Sequence, residues 1–380
     1  MDFELDSTQV ELQRMARTFS RDVLEPAQKA MDDTNAFPYD AWRRWSALGM
    51  TGFTIPETYG GGGGDSLSYI LAMEEVATVS QTFALIWQVH VLVSNMYRLL
   101  GTEKQKREWL PRFASGEIVG AIGLTEPGAG SDAGGMTTRA ERRNGEWIIN
   151  GRKIFISNTG TDISDGLVLM AVTDNSGGRK SISSFIVPRG APGFEIGQSF
   201  TKMAWHGMDS RELLFNDCRI PEENLLGIEG QGLRQALTAL NLGRIVFGIL
   251  GVALIRACLE ESLAYAKDRK QFGKPLASFQ LIQSKLADMA IHAEAVRRFA
   301  HYVAWLHAKG VDCHAQAAMV KTLGTELATK AALDAFQIHG GYGFMQEYKV
   351  NRFFRESKIL EIGEGTNEIQ RLVIARSLGC

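Results

Sequence analysis

Ile362-Gly363-Glu364-Gly365-Thr366-Asn367-Glu368-Ile369-Gln370-Arg371, near the C-terminus, places a carboxylate between two glycines. The glycines let the backbone approach another group closely and leave the Glu364 side chain uncrowded. Thr366 is a typical N-cap, and the apolar residues after it predict a final helix. The carboxylate is either solvated, as most loop carboxylates are, or it faces a dry cavity, where a raised pKa would suit a general base.

Three other segments are rich in glycine and polar side chains. They are Ile122-Gly-Leu-Thr-Glu-Pro-Gly-Ala-Gly-Ser-Asp132, Asp268-Arg-Lys-Gln-Phe-Gly-Lys274 and Gln337-Ile-His-Gly-Gly-Tyr-Gly-Phe344. The first is either a plain turn or a loop whose N–H groups bind an anionic or carbonyl-rich ligand, and it lacks the dinucleotide pattern GxGxxG. In this order and at these distances, the four motifs together resemble the acyl-CoA dehydrogenase family. The resemblance extends from near the N-terminus to the end of the chain.

Length and composition limit the class of protein. The chain has 380 residues, of which 45% are hydrophobic and 22% charged, enough for two or three domains. A net charge of −2 and a pI near 6.4 indicate neither a nucleic acid nor an anionic membrane as partner. Every apolar run is shorter than about 18 residues, so no membrane span is expected. The N-terminus resembles no signal or transit segment, which predicts a cytoplasmic location. The cysteines and histidines lack metal-ligand spacing, so no metal is expected.

Hydrophobic periodicity predicts a mainly α protein with a central all-β domain. Residues 1–117 have helical spacing and form an N-terminal helical domain. Residues 118–225 contain short β-rich runs and form a middle β-sandwich or barrel. Residues 226–380 return to helical spacing and form a C-terminal bundle of four antiparallel helices, at 232–270, 281–310, 313–337 and 366–378.

Local signals predict where some of these elements begin and end. Thr8-Gln-Val-Glu11 has the pattern of a capping box at the start of the first helix. Pro26 and Pro111 are expected to end helices. Asn150-Gly151 is expected to form the turn of a β-hairpin.

The family resemblance implies FAD as cofactor. The middle-domain segments would lie along the flavin ring, with Phe155 where the family often has Trp. The loop after the first bundle helix would cross to a neighbouring subunit and hold the pyrophosphate and adenine of its FAD, which implies an oligomer, usually a homotetramer. By matched position, the implied cofactor residues are Ile122, Leu124, Thr125, Gly130, Ser131, Phe155, Ile156, Ser157, Arg269, Gln271, Phe272, Gln280, Gln337, Gly341, Thr366 and Glu368.

The resemblance also implies a reaction. Glu364 would remove the α-proton of an acyl-CoA thioester, and the β-hydrogen would pass as hydride to flavin N5, giving a trans-2-enoyl-CoA. Electrons would then go to an electron-transfer flavoprotein. Some family members carry the base at the position of Gly243, so Glu364 is the one family-matched base here. The implied substrate-binding residues are Gln88, Ser131, Asn241, Arg244, Gly363 and Gly365.

Gly363 bears on the acyl group that is accepted. Many family members have Tyr immediately before the catalytic Glu, where its ring walls the cavity beside the reacting carbons. Without that ring the pocket is expected to be wide and to admit a branched or cyclic acyl group. Alternatively, a neighbour such as Phe247 or Tyr342 refills the gap, since protein cores rarely leave voids.

Two other functions remain open. One is an acyl-CoA oxidase, in which oxygen reoxidises the flavin, although the chain is shorter than the longer oxidases. The other is a redox-inert family member that acts as a binding protein, for example on DNA. Retention of Glu364 and the lack of an added basic domain disfavour this second alternative.

Overall fold

A computed structural model describes residues 4–174, 176 and 180–380. The chain begins with α1 (Ser7–Phe19), α2 (Glu25–Thr34), α3 (Tyr39–Ala47), α4 (Ser66–Val79), α5 (Gln81–Leu100) and α6 (Glu103–Ala114). A β domain follows, with β1 (Ile122–Gly123), β2 (Arg139–Arg143), β3 (Glu146–Ile156), β4 (Gly166–Asp174), β5 (Ser181–Pro188), β6 (Phe194–Ser199), β7 (Arg211–Pro221) and β8 (Leu225–Leu226). The chain ends with α7 (Gly232–Asp268), the hairpin β9 (Lys270–Gln271) and β10 (Lys274–Pro275), α8 (Gln280–Ala308), α9 (His314–His339), α10 (Lys349–Ile362) and α11 (Asn367–Ser377). The predicted order of helical, β and helical domains is confirmed, while the boundaries after residues 117 and 225 stay predictions.

The predicted start and end of the first helix are both wrong. The N-cap is Asp6, whose carboxylate accepts the N–H of Gln9 while the Gln9 side chain accepts the N–H of Asp6. The capping box thus lies two residues before the predicted one. Pro26 does not end the helix either, because a π-helical segment, Ser20–Leu24, connects α1 to α2. Pro26 lies in the first turn of α2, directly after this π-helical segment, in which the N–H of Glu25 donates to the carbonyl oxygen of Ser20.

Pro111 was expected to end α6, but it lies inside the helix, which continues to Ala114. A proline in a helix interior costs about 3 kcal/mol or more. Trp109, Leu110 and Phe113 are buried in one cluster on the adjoining face of α6. Burial of each such side chain contributes about 1.5–3 kcal/mol. Their packing offsets the lost backbone hydrogen bond, and the helix ends within its next turn.

The C-terminal domain differs from the predicted four helices because the prediction omitted α10. This helix buries Val350, Phe353 and Leu360 along one face, but it begins without a side-chain N-cap. The sequence therefore lacks the start signal that marks α11. The omission matters because α10 leads directly into the Glu364 loop.

No stretch was expected to be long and apolar enough to span a membrane, but α7 is. It is the one helix in the described residues that is long and apolar enough to cross a membrane by length and composition. Of its most apolar 18-residue window, 89% is buried inside the protein. A helix that packs on all sides is apolar all round, so α7 has the character of a core helix.

The Asn150-Gly151 hairpin prediction is wrong. These residues lie within the continuous strand β3, and Gly151 sits at a bulge in its pairing with β7. A Cβ atom on Gly151 would lie 2.4–2.6 Å from atoms of Thr138, so only glycine fits there. The turn between β2 and β3 is instead Asn144-Gly145, with φ of +53° and +81°. The sequence has two Asn-Gly pairs that could form this turn. The first one forms it, because the second is held in the extended strand β3 by its pairing with β7.

The strands of the β domain form one mixed sheet in the order β6-β7-β3-β2-β4-β5-β8, and β1 pairs with β4. Alternate residues of β4 face two different cores. Val168 and Met170 pack with residues of α5 and α6, whereas Leu167 and Leu169 pack inside the β domain. On the other side, a single apolar cluster joins the N-terminal helices to α7, α8, α9 and α10. The Glu364 loop lies where α10 meets α11.

Candidate active site

Glu364 lies in the loop 363–366, between α10 and α11. Its backbone has a left-handed φ of +56°, and Gly365 follows with +86°. For a residue with a side chain this conformation costs about 1–3 kcal/mol, and it persists only where the surroundings support it. The side-chain amide of Gln370 supports it here by donating to the carbonyl oxygens of Glu364 and Gly365, both at 3.0 Å. Thr366 caps α11 as predicted, its hydroxyl accepting a backbone N–H at 3.3 Å.

The carboxyl group of Glu364 is enclosed, although the residue as a whole is partly exposed. Its Oε2 is buried and has no hydrogen-bond partner among the described residues. Burial raises the pKa of the carboxyl group to about 7. The Arg244 guanidinium, the hydrogen-bonding amide of Gln88 and the Lys321 ammonium act in the opposite direction, in that order. A solvated carboxylate was one of the two expectations, but the structure has a carboxyl group that is buried inside the protein.

Gly243, on α7, lies directly against this carboxylate. A Cβ atom there would lie 3.0 Å from Cδ and Oε1 of Glu364 and 3.0 Å from Nε2 of Gln88. Gln88 is buried and accepts the hydroxyl of Tyr69 at 3.2 Å. A side chain at position 243 would therefore occupy the space of the Glu364 carboxyl group, and glycine at 243 keeps that space free for it.

Phe247 lies one helical turn after Gly243 and occupies the space beside Gly363. A Cβ atom on Gly363 would lie 2.8 Å from Cε1 and 3.0 Å from Cζ of the Phe247 ring. The ring itself is buried. The structure therefore has the refilled arrangement rather than the unfilled gap. Tyr342, the other candidate, lies instead against Tyr265 and Arg269.

Asn241 and Arg244 lie together on α7, near the carboxylate. The NH1 of buried Arg244 donates to Oδ1 of Asn241 at 3.1 Å and lies 3.0 Å from Nδ1 of His314. Its Nε is buried and finds no partner in the described part of the chain. Burial lowers the pKa of the guanidinium, and the nearby Glu364 raises it. His314 is a member of this group that sequence reasoning missed.

The loop 122–131 is open to a ligand along its glycines. A Cβ atom on Gly128 or Gly130 would meet no atom of the described residues within 4 Å. The carbonyl oxygen of Thr125 accepts the N–H of Ile154 at 3.0 Å, which holds the loop beside β3. Of the other predicted residues in this loop, Ile122 and Leu124 are partly buried and Ser131 is exposed.

Phe155 projects from β3 beside this loop. It has a φ of +58° at a bulge between Lys153 and Ile156, and its side chain is 59% exposed. An exposed aromatic ring in a costly backbone conformation marks a site where a ligand is expected to cover it. Ser157 is partly buried, whereas Ile156 packs into the core of the β domain, so its side chain cannot line the same surface. The open glycine loop and the exposed ring together fit a planar, carbonyl-rich ring such as a flavin.

A buried ion pair underlies the loop. The ammonium of Lys153, which has no exposed surface, donates to Oε1 of Glu126 at 2.8 Å and to the carbonyl oxygen of Leu124 at 3.0 Å. Glu126 also accepts the N–H groups of Thr137 and Thr138 at 2.7 and 2.9 Å. The pair ties residues 124–126, just before the glycines of the loop, to β3, and Glu126 links them to Thr137 and Thr138 beyond those glycines. Sequence reasoning missed this pair.

Six of the predicted cofactor residues lie in a second place. Arg269, Gln271 and Gly341 line one surface cleft. Phe272, at the turn of the β9–β10 hairpin, has a φ of +53° and is 91% exposed. Gln280, which follows the hairpin in the chain, and Gln337, which precedes Gly341, are also exposed. Glu368 is exposed as well, but it lies at the start of α11, beside the Glu364 loop, and does not belong to this second group. Gln337 follows Lys321 by 16 residues on α9, which separates them by about 24 Å. Within one chain, this second group is thus far from Glu364.

Lys321 is the other functional candidate that sequence reasoning missed. It lies on α9 with its ammonium fully buried beneath the Glu364 loop. A lysine at a core-facing position, one turn after Ala317 and one turn before Thr325, was the available signal. No group of three or more His, Cys, Asp or Glu side chains that could hold a metal ion occurs in residues 4–174, 176 and 180–380.

Comparison with known proteins covers nearly the whole chain. Residues 6–117 match the model of the acyl-CoA dehydrogenase N-terminal domain, residues 121–218 that of the middle domain and residues 230–379 that of the C-terminal domain. An acyl-CoA dehydrogenase of Bacillus subtilis (strain 168) is 43% identical over 371 residues, covering 97% of each chain.

Solved structures of similar proteins have the same fold over the whole chain. Butyryl-CoA dehydrogenase from Megasphaera elsdenii is 38% identical, with a TM-score of 0.96 and 100% of both chains covered. A chain from the structure of the electron transferring flavoprotein of Acidaminococcus fermentans is 38% identical, with a TM-score of 0.95, covering 100% of this chain and 99% of that one.

Proposed function

The chain belongs to the acyl-CoA dehydrogenase family of FAD-dependent oxidoreductases, and on that premise we propose that it oxidises an acyl-CoA thioester to the trans-2-enoyl-CoA with Glu364 as the base. The observation that carries the proposal is the buried, unpartnered Oε2 of Glu364. The direct test is bleaching of the flavin absorbance by a panel of acyl-CoAs without oxygen.

Glu364 is suited to removing the α-proton. Burial makes its carboxylate a stronger base than a solvated one, and an unpartnered oxygen is free to accept a proton. The left-handed backbone, supported by Gln370, aims this oxygen without reorganisation. Gln88 and Arg244 keep part of the population ionised near neutral pH because both favour the carboxylate form.

FAD, when bound, supplies the chemistry of accepting the hydride from the β-carbon. Residues of one subunit would hold the flavin side of the cofactor: Ile122, Leu124, Thr125, Gly130, Ser131, Phe155, Ile156 through its backbone, Ser157, Thr366 and Glu368. Residues of a neighbouring subunit would hold the pyrophosphate and adenine: Arg269, Gln271, Phe272, Gln280, Gln337 and Gly341. The acyl-CoA would contact Gln88, Ser131, Asn241, Arg244, Gly363 and Gly365.

The assignment of two groups of cofactor residues to different subunits rests on their separation. The separation of about 24 Å along α9 and the exposed Phe272 favour an oligomer in which a neighbour completes each cofactor site. The family resemblance implies that this oligomer is a homotetramer. Native mass measurement of the FAD-loaded protein tests this. A monomer that retains FAD fully would contradict it.

The proposed electron acceptor is an electron-transfer flavoprotein, supported by the similarity to the chain from Acidaminococcus fermentans. Reoxidation of the substrate-reduced protein should be much faster with purified electron-transfer flavoprotein than with air. The opposite order would identify an oxidase. A cytoplasmic location stays a prediction.

The base assignment predicts a pH dependence. Glu364 must be ionised to accept the proton, and its pKa is raised to about 7. Flavin reduction at low acyl-CoA concentration should therefore rise with pH through about 7 and level off above it, since this regime reports the free enzyme. Reduction by dithionite over the same pH range, which needs no base, is the control. A rate with no inflection between pH 5.5 and 8.5 would rule out this ionisation.

Phe247 is expected to set the acyl selectivity, since its ring occupies the space beside Gly363. Phe247→Ala should raise kcat/KM for a branched or aromatic acyl-CoA relative to butyryl-CoA by about tenfold, the usual effect of such a change in an apolar pocket. Ile249→Ala, buried on another face of α7, is the matched cavity control. Equal changes on both substrates would show that Phe247 does not line the acyl pocket.

A further inference from the structure

Lys321 connects both ends of the catalytic loop. Its Nζ donates to the carbonyl oxygen of Glu361 at 2.9 Å, in the last turn of α10, and to Oδ1 of Asn367 at 2.7 Å, the first residue of α11. The loop 363–366, with Glu364, lies between these two contacts. A cation at a helix C-terminus is favourable because it meets the unsatisfied carbonyl groups there.

The acceptor on α11 is itself held in place. Oδ1 of Asn367 also accepts the hydroxyl of Thr325 at 3.2 Å, and its Nδ2 lies 3.0 Å from that hydroxyl and 3.3 Å from Oε1 of Glu326. Thr325 follows Lys321 by one turn on α9. One helix thus anchors the start of α11 at two successive turns, and Asn367 is buried.

The charge of Lys321 has no exposed surface. Burial lowers its pKa to about 8, and the carboxylates of Glu364, Glu361, Glu368 and Glu326 oppose that shift, so the group carries a proton at neutral pH. Counting Lys321 itself, three charged or titratable groups from other helices face Glu364 or lie close to it. They are Arg244 on α7, Lys321 on α9 and Tyr69 on α4. A buried ammonium needs such partners because an unpaired buried charge is costly.

Accepting the proposed function of Glu364, we propose that Lys321 is a positioning residue, whose ammonium fixes the loop 363–366 between α10 and α11 and favours the ionised form of the base. It does not contact the reacting atoms. It acts through the backbone of the loop and through its charge.

The test compares Lys321→Met with Lys330→Met. The first removes the ammonium from beneath the loop. The second makes the same change on α9, where Lys330 pairs with Asp334 at the surface. In Lys321→Met, the inflection of flavin reduction with pH should move upward by about one pH unit, since an opposite charge that lowered the pKa has been lost. Lys330→Met should keep the wild-type profile.

A second readout does not depend on turnover. Amide hydrogen exchange in the peptides that cover 359–370 should become faster in Lys321→Met than in Lys330→Met, because the two loop ends lose their shared donor. Lys321→Gln keeps an N–H donor without the charge, so it should shift the pH inflection with a smaller change in exchange. A lower rate with an unchanged inflection and unchanged exchange in both Lys321 variants would overturn the proposal.

Two further outcomes would also bear on the proposed role of Lys321. Failure of both Lys321 variants to fold and bind FAD would overturn a role confined to the loop, since it would make Lys321 a determinant of the whole fold. Failure of the proposed function itself would look different. In that case replacement of Glu364 would leave flavin reduction intact, whatever Lys321 does.

Discussion

Glu364→Gln is expected to lower the rate of flavin reduction by acyl-CoA by at least about 10²–10⁴-fold, the usual loss on removing a general base. The amide is nearly the same size as the carboxylate but has no basic oxygen at neutral pH. Oε2 has no hydrogen-bond partner among the described residues, so the substitution breaks little structure. FAD content and thermal stability should stay close to wild type.

Glu356→Gln is the matched control for this experiment. Glu356 is also fully buried on α10, neither of its oxygens accepts a hydrogen bond within the described ranges, and burial raises its pKa to about 7 as well, although Oε2 lies 3.9 Å from Nε of Arg352. It lies two helical turns before Glu364. A raised pKa alone would therefore not distinguish the two residues, whereas the contacts with Gly243 and Gln88 do. Near-normal reduction by Glu364→Gln, or an equal loss in Glu356→Gln, would remove Glu364 as the base.

Lys153→Met is expected to lower the free energy of unfolding by about 3–5 kcal/mol, the usual cost of leaving one partner of a buried ion pair unpaired. Burial opposes the ionisation of Glu126, but hydrogen bonds from Lys153 and from Thr138 and Thr137 outweigh it and hold its pKa at about 2. Without Lys153 the carboxylate stays buried with its charge partner gone. The glycine loop that it holds should become mobile, and FAD should bind more weakly.

Arg152→Met, at the preceding position on β3, is the control for this second substitution. Arg152 is half exposed, although its partner Glu212 is only 12% exposed, so water still reaches this pair and losing Arg152 should cost less than losing Lys153, whose pair is buried on both sides. Adding Glu126→Gln to Lys153→Met should recover part of the loss, because the double variant leaves no buried unpaired charge. Chemical denaturation of all four proteins measures these differences. Equal costs for Lys153→Met and Arg152→Met would contradict the buried-pair argument.

A local signal accounts for the cap of α11, whereas the capping box of α1 lies two residues before the predicted one. Thr366 caps α11 where the sequence predicts it, because the hydroxyl and the N–H it accepts lie three residues apart. The same kind of signal failed at Pro111 and at Asn150-Gly151. In both places contacts with distant residues, the apolar cluster around α6 and the pairing of β3 with β7, outweigh the local preference.

The sequence by itself determined the three-domain fold, the family and the candidate base, because periodicity and short motifs record local backbone preference and residue chemistry. Only the tertiary structure decided what surrounds that base. Phe247 and Gly363 are 116 positions apart, and Lys321 and Asn367 are 46 apart, yet each pair is in contact. Periodicity shows that a side chain is buried but not what it packs against. The pKa of Glu364, the filled space beside Gly363 and the support from Lys321 depend on those partners, so they follow from the packing of α5, α7, α9 and α10 around one loop.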